Sequence, residues 1–171
     1  MSIKVPYAYS SELVITTKKE KEIIGLNQCK LKLKEKLSFV NNYDMIIKIA
    51  MCHLDISNKD LFDRIKYLKE KINKDEELNL NLDSLKCMML FLVCERFIKP
   101  TITFINYFQC NWKINNTIIT ISFKENFTVN FVIIKNIEDT KNLETINGKM
   151  SLLSFIKLLI DTGYYNFIFL N

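Results

Sequence analysis

The sequence predicts an α+β fold, with a mainly helical N-terminal two-thirds packed on an antiparallel β-sheet from the C-terminal third. Apolar residues recur at helical spacing as far as Lys99-Pro100, and beyond this point β-branched and aromatic residues alternate with polar ones. Asparagine-containing turns separate the later apolar runs. The chain has 171 residues, of which 49% are hydrophobic and 25% charged. A chain of this length and hydrophobic content can bury one core, and we predict a single domain over residues 1–171.

Two candidate strands lie near the N-terminus. Residues 12–17 (ELVITT) are β-branched and apolar, and residues 22–26 follow a short charged turn. An N-terminal β-hairpin is therefore a further expectation.

The segment CKLKLKEKL, residues 29–37, fits two periodicities. As a strand, it would place its leucines on one face and its lysines on the other. As a helix, it would extend to Val40 and leave Leu31 on the polar side. The helical stripe would consist of Leu26, Cys29, Leu33, Leu37 and Val40. We favour the helix, although both readings fit the pattern.

Two amphipathic helices follow. Asn41 or Asn42 caps a helix over residues 43–54. Ser57, with Asp60 three residues later, resembles a capping box and predicts a helix over residues 57–73. The apolar stripe of that helix consists of Leu61, Ile65, Leu68 and Ile72.

A fourth helix is predicted over residues 84–98, capped by Asp83 and ended by Lys99-Pro100. It is apolar nearly all round, which predicts a position in the centre of the core.

Strands rich in Ile, Val, Phe and Thr are predicted after Pro100. They cover residues 101–108, 112–114, 117–123 and 127–134. The turns Asn115-Asn116 and 124–126 join the last three, since asparagine tolerates a positive φ.

The end of the chain is predicted to contain one helix and one strand. Residues 135–149 are expected to form a polar connection, and Ser151 caps a helix to about Asp161 that ends at Gly163. Residues 164–170 are aromatic and predict a last strand. That strand would close the protein's own sheet or, if exposed, pair with another chain.

The composition indicates an AT-rich genome. Isoleucine, lysine and asparagine are abundant, while there are only three glycines, two prolines and two alanines. Codon composition explains this bias, which predicts an origin in a virus or a mobile element.

Basic residues concentrate in one segment. The chain carries a net charge of +5, and residues 18–36 hold seven lysines and three glutamates. If this segment bound nucleic acid, its contacts would come from Lys18, Lys19, Lys21, Lys30, Lys32, Lys34 and Lys36. On a strand, alternate lysines would stand about 6.6 Å apart and follow successive phosphates. On a helix the alternate lysines would point to different faces and would not form a row. The scarcity of arginine also weakens the interpretation of this segment as a nucleic-acid-binding site.

Catalytic patterns are weak. His53 is the only histidine, and its neighbour Cys52 points about 100° away on a helix, so the two cannot easily share a metal. A favourable cation at a helix C-terminus is the simpler role for His53. Cys87 and Cys94, seven residues apart among Met and Leu, indicate core packing. We predict no enzyme activity, no cofactor, and no catalytic, cofactor-binding or metal site.

Five cysteines without a CxxC pair, together with no predicted signal peptide or membrane span, indicate the interior of a cell, either cytoplasm or nucleus. We therefore expect a non-enzymatic intracellular interaction protein with an accessory, regulatory or structural role. Its partner would be another protein or a second copy of itself. The alternative is an RNA- or DNA-binding accessory protein that uses residues 18–36.

Overall fold

The computed structural model describes residues 28–53, 59–75, 79–93, 95–139 and 141–170. The candidate strands at 12–17 and 22–26 lie outside these residues. The described helices are α1 (28–38), α2 (Tyr43–Met51), α3 (Lys59–Ile72), α4 (Leu82–Leu92) and α5 (Leu152–Asp161). The described strands are β1 (Thr101–Phe104), β2 (Phe108–Ile114), β3 (Thr117–Phe123), β4 (Thr128–Lys135) and β5 (Glu144–Ser151). Helices α1 to α4 precede a five-stranded antiparallel sheet and α5 follows it, which confirms the predicted α+β class.

The helical interpretation of residues 29–37 is confirmed by α1. Leu33 and Leu37 are buried, whereas Leu31 is 49% exposed on the polar side. This burial follows the helical period, because a strand would have placed Leu31 on the same face as Leu33.

The predicted cap of α2 and the predicted stripe of α3 are confirmed. The Asn42 side chain accepts hydrogen bonds from the backbone N–H groups of Asp44 and Met45 and so opens α2. In α3 the predicted stripe is buried throughout: Leu61, Ile65, Leu68 and Ile72. Ser57 lies outside the described residues.

Helix α4 is the centre of the core, as predicted, because every residue from Ser84 to Leu92 is buried. Both of its predicted ends were wrong. Asn81, not Asp83, provides the N-cap by accepting from the Ser84 N–H. The helix ends at Leu92, and Val93 is already extended at φ −78° and ψ 154°. The apolar pattern does not reveal this stop, because Val93 directly after it is also apolar and apolar residues recur at Phe97 and Ile98.

The sheet is a meander in the order β1-β2-β3-β4-β5. All the buried strand residues lie on one face, which we call the inner face, and α4 packs against it. Phe91 of α4 is surrounded by four aromatic rings at centroid distances of 5.2–6.2 Å: Trp112, Phe123, Phe155 and Phe169. Such ring clusters supply a large share of the buried apolar area in a core of this size.

The predicted β3–β4 hairpin is confirmed, with Phe123 paired to Val129 across the turn. Asn115 and Asn126 adopt positive φ angles of 51° and 55°, as their place in turns predicts. The prediction of one strand over residues 101–108 was wrong. The chain turns at 105–107, and β2 begins at Phe108, four residues before the predicted strand at 112.

Strand β5 was missed, since residues 135–149 were expected to be a polar connection. Eight consecutive residues of β5 pair with β4, yet the first four are exposed. A strand exposed on both faces carries no alternation of apolar and polar residues, so its sequence resembles a loop.

The last predicted strand was also wrong. Helix α5 begins after the Ser151 cap and ends before Gly163, which has the left-handed φ of 78°. Residues Tyr164–Phe167 then form a 3₁₀ helix, and a single β-bridge joins Phe97 to Phe169. Tyr164 and Phe169 are buried in the core, while Tyr165 and Phe167 are partly buried.

Candidate interaction surfaces

The predicted basic row is broken by the burial of Lys30. Its side chain is fully buried, and its ammonium donates to the carbonyls of Leu90, Phe91 and Val93 at 3.2, 3.0 and 3.3 Å. These carbonyls lie at the C-terminal end of α4, where helical carbonyls lack intrahelical donors. Lys30 therefore caps α4 and contributes nothing to an exposed basic surface.

Glu95 completes this buried arrangement. Its Oε1 lies 3.2 Å from Lys30 Nζ, and the side chain is 15% exposed. The two groups attract as an ion pair. Burial raises the pKa of Glu95, and the nearby ammonium opposes this rise without cancelling it.

The other predicted lysines are distributed differently. Lys18, Lys19 and Lys21 lie outside the described residues. Lys32 and Lys36 are exposed on one face of α1, while Lys34 is half-buried with its ammonium 5.2 Å from the ring centroid of Phe127. Two exposed lysines four residues apart do not form the predicted row.

The described thiols and histidine show no catalytic arrangement. Burial raises the pKa of the Cys87 and Cys110 thiols, so both stay protonated and unreactive. Half-buried His53 follows the end of α2, and its backbone N–H donates to Ala50. Within the described residues, no cluster of three or more His, Cys, Asp or Glu side chains is arranged to hold a metal ion.

A seam between α3 and β1 contains two shallow cavities that sequence analysis did not predict. The smaller, about 100 Å³, is bordered by the Asp60–Lys99 ion pair at 2.8 Å. The larger, about 280 Å³, lies beside Lys71, Lys74 and Phe104. The charges of α3 are mixed in sequence, so no linear pattern indicates this seam.

The face of the sheet opposite α4, which we call the outer face, carries no buried side chain among its described residues. The strand register places the following residues on it: Thr101, Thr103, Gln109, Asn111, Lys113, Ile118, Thr120, Ser122, Thr128, Asn130, Val132, Ile134, Thr145, Asn147, Lys149 and Ser151. This set includes no acidic residue and no aromatic ring. It includes two lysines and a central apolar group of Ile118, Val132 and Ile134, which are only partly exposed.

The two edges of the sheet differ. At β1, only four residues long and preceded by Pro100, Arg64 of α3 donates to the Ile102 carbonyl at 3.2 Å. Short strands, proline and a covering helix are the usual devices that prevent pairing at an edge. At β5, no strand among the described residues pairs with the side opposite β4. We call that side the β5 edge.

The sequence matches no protein-family model, no curated protein and no solved structure. Among the described helices, none combines the length and the apolar character needed to cross a bilayer.

Proposed function

We propose that this chain is a non-enzymatic interaction protein that binds a protein partner through the outer face and the β5 edge. The contrast between the two sheet edges carries this proposal. Arg64 donates a hydrogen bond to a main-chain carbonyl of β1. In contrast, the side chains of residues 144–147, the first half of β5, are exposed. An unpaired edge offers main-chain donors and acceptors in the geometry that an added strand needs.

The side chains of the outer face suit a protein partner. Thr, Asn, Gln and Ser supply adaptable hydrogen bonds, and the partly exposed Ile118, Val132 and Ile134 supply a central apolar group. Interfaces combine such an apolar centre with a polar rim.

Nucleic acid is the second candidate, supported by the absence of acidic residues from the outer face and by the exposed Lys113 and Lys149. However, single-strand binders stack bases on aromatic rings, and the rings of this sheet lie on the inner face. Exposed Tyr67 on α3 is an alternative stacking surface, flanked by Arg64 and Lys71 within 5.2 Å of its ring centroid.

A paired experiment tests both candidates. The Val132→Glu variant introduces a charge into the centre of the outer face, and Lys48→Glu at an exposed position of α2 is the control. Both are used as baits in affinity capture from cells that naturally make this chain, with nuclease treatment as a further arm. We expect a protein partner that survives nuclease, is lost with Val132→Glu and is kept with Lys48→Glu. Capture unaffected by Val132→Glu would refute the proposed surface.

Fluorescence anisotropy with labelled single- and double-stranded oligonucleotides tests the second candidate directly. Binding that weakens steeply with salt and is lost on replacing Lys113 and Lys149 with glutamate would favour nucleic acid. No binding at low salt would eliminate it.

We also propose an accessory role inside a cell, in a virus or mobile element with an AT-rich genome. The amino-acid composition supports this origin. The buried thiols of Cys87 and Cys110 support a reducing compartment, since neither is in a disulfide.

A further inference from the structure

We infer that the β5 edge pairs with the β5 edge of a second copy of this chain, so that two five-stranded sheets join into one. This inference rests on the proposed function and names the partner of one of its two surfaces. A two-fold antiparallel pairing would bring complementary residues of the two β5 strands together.

Face alternation limits the register. Residues directly opposite each other in an antiparallel pair point to the same face. On β5 the even-numbered positions point to the inner face, because Ile146 pairs with Ile133 and Gly148 with Phe131. Two copies therefore keep their inner faces on one side only when even positions meet even positions.

A register centred on Asn147 satisfies this requirement and pairs residues 144–150 of both copies. Opposite residues would then be Ile146 with Gly148, Thr145 with Lys149, and Glu144 with Met150. No like charges meet. The two Lys149 side chains would be offset by about 13 Å along the strands, because each residue advances the strand by about 3.3 Å.

The apolar complementarity of this register involves Gly148. A Cβ atom at Gly148 would lie 3.2 Å from two ring atoms of Phe131, so the ring already covers the space that a side chain would need. Ile146, which is 38% exposed, would lie beside Gly148 of the second copy and against that copy's Phe131 ring. A continuous apolar row would cross the junction.

A register centred on Ile146 also preserves the faces, but it pairs only residues 144–148 within the strand and sets Lys149 against the loop residue Leu143. The Asn147 register therefore pairs more of the main chain. A junction of one strand pair is small, so we expect a dimer with a Kd in the micromolar range.

Sedimentation of the purified chain over a range of concentrations tests the inference. We expect a monomer–dimer equilibrium that Thr145→Lys weakens at least ten-fold, because the introduced ammonium would then face Lys149 of the second copy. The double variant T145K/K149E should restore association, since each new lysine would face a glutamate. Thr101→Lys, exposed on β1, is the matched control and should leave association unchanged.

A disulfide trap provides a second measurement that does not depend on the charge variants. Asn147→Cys in a Cys52→Ser background would place two thiols opposite each other at the two-fold axis. We expect rapid intermolecular cross-linking under mild oxidation, and slow cross-linking for Thr101→Cys in the same background.

The outcomes separate this inference from the proposed function. A chain that stays monomeric at all concentrations and does not cross-link at Asn147 overturns self-pairing, even if Val132→Glu still loses a captured partner. Loss of a captured heterologous partner with Thr145→Lys in a monomeric chain would assign the β5 edge to that partner. Association that T145K/K149E fails to restore would refute the Asn147 register.

Discussion

Replacing Lys30 with methionine tests whether a buried ammonium holds the end of α4. Methionine keeps most of the side-chain length and apolar stem but has no donor. The carbonyls of Leu90, Phe91 and Val93 would each lose a donor, and the Glu95 carboxylate would lose its counter-ion. Breaking a buried ion pair by removing one partner costs about 3–5 kcal/mol.

Each carbonyl left without a donor costs about 1–3 kcal/mol, but these costs do not add fully because water or protonation of Glu95 relieves part of them. We therefore expect the free energy of unfolding to fall by about 4 kcal/mol at pH 8. At roughly 2–4 °C per kcal/mol for a chain of this size, Tm should fall by about 10 °C. Urea unfolding followed by circular dichroism measures the first quantity, and a thermal melt measures the second. Lys32→Met, on the exposed face of the same helix, should change stability by no more than about 0.5 kcal/mol.

The loss should also depend on pH. Burial raises the pKa of Glu95 above its ordinary value of 4.5, so its contribution to stability is fully present below pH 4.5 and is lost as pH rises through the folded-state value. When Lys30 is replaced, its ammonium no longer opposes the rise in the pKa of Glu95. The loss of stability then continues to a higher pH. Lys30→Met should therefore destabilise less at pH 5 than at pH 8, and adding Glu95→Gln should recover part of the loss at pH 8. A cost below about 1 kcal/mol, or one independent of pH, would refute the role assigned to this ammonium.

Two further predictions concern buried groups around α4. The Ser84 hydroxyl donates to the Phe123 carbonyl at 2.6 Å and accepts from the Phe108 N–H at 2.8 Å. Ser84→Ala should therefore lower the free energy of unfolding by about 1–3 kcal/mol in urea titrations, while Ser38→Ala at the surface should have little effect. Equal effects of the two substitutions would contradict the bridging role of Ser84. Ellman's reagent with mass mapping should label exposed Cys52 in the native chain but label Cys87 and Cys110 only after unfolding, and native labelling of either buried thiol would contradict their raised pKa and their burial.

Periodicity in the sequence determined the class of the fold and its strongest elements. The stripe of α3 and the β3–β4 hairpin could be predicted because each element buries one face and exposes the other, so the side-chain pattern carries the period. The helical period of α1 was favoured by the sequence but not decided by it, because residues 29–37 fit both periods. Asn42, Ser151 and Gly163 act locally at helix ends, which is why their roles could be predicted without the tertiary structure.

Contacts between residues far apart in the sequence determine the remaining features of the fold. Lys30 belongs by sequence to a basic row, but 60 residues separate it from the first carbonyl to which it donates, and no local pattern encodes that distance. β5 exists because β4 supplies its hydrogen bonds, although its own residues resemble a loop. The end of α4 and the 3₁₀ turn at Tyr164–Phe167 likewise depend on contacts with residues distant in the sequence, such as the donation from Lys30 to the α4 carbonyls and the β-bridge between Phe97 and Phe169. The local pattern of apolar residues specifies which face of an element is buried. The element that packs against that face is set by the whole chain, because the free energy of burial is non-directional.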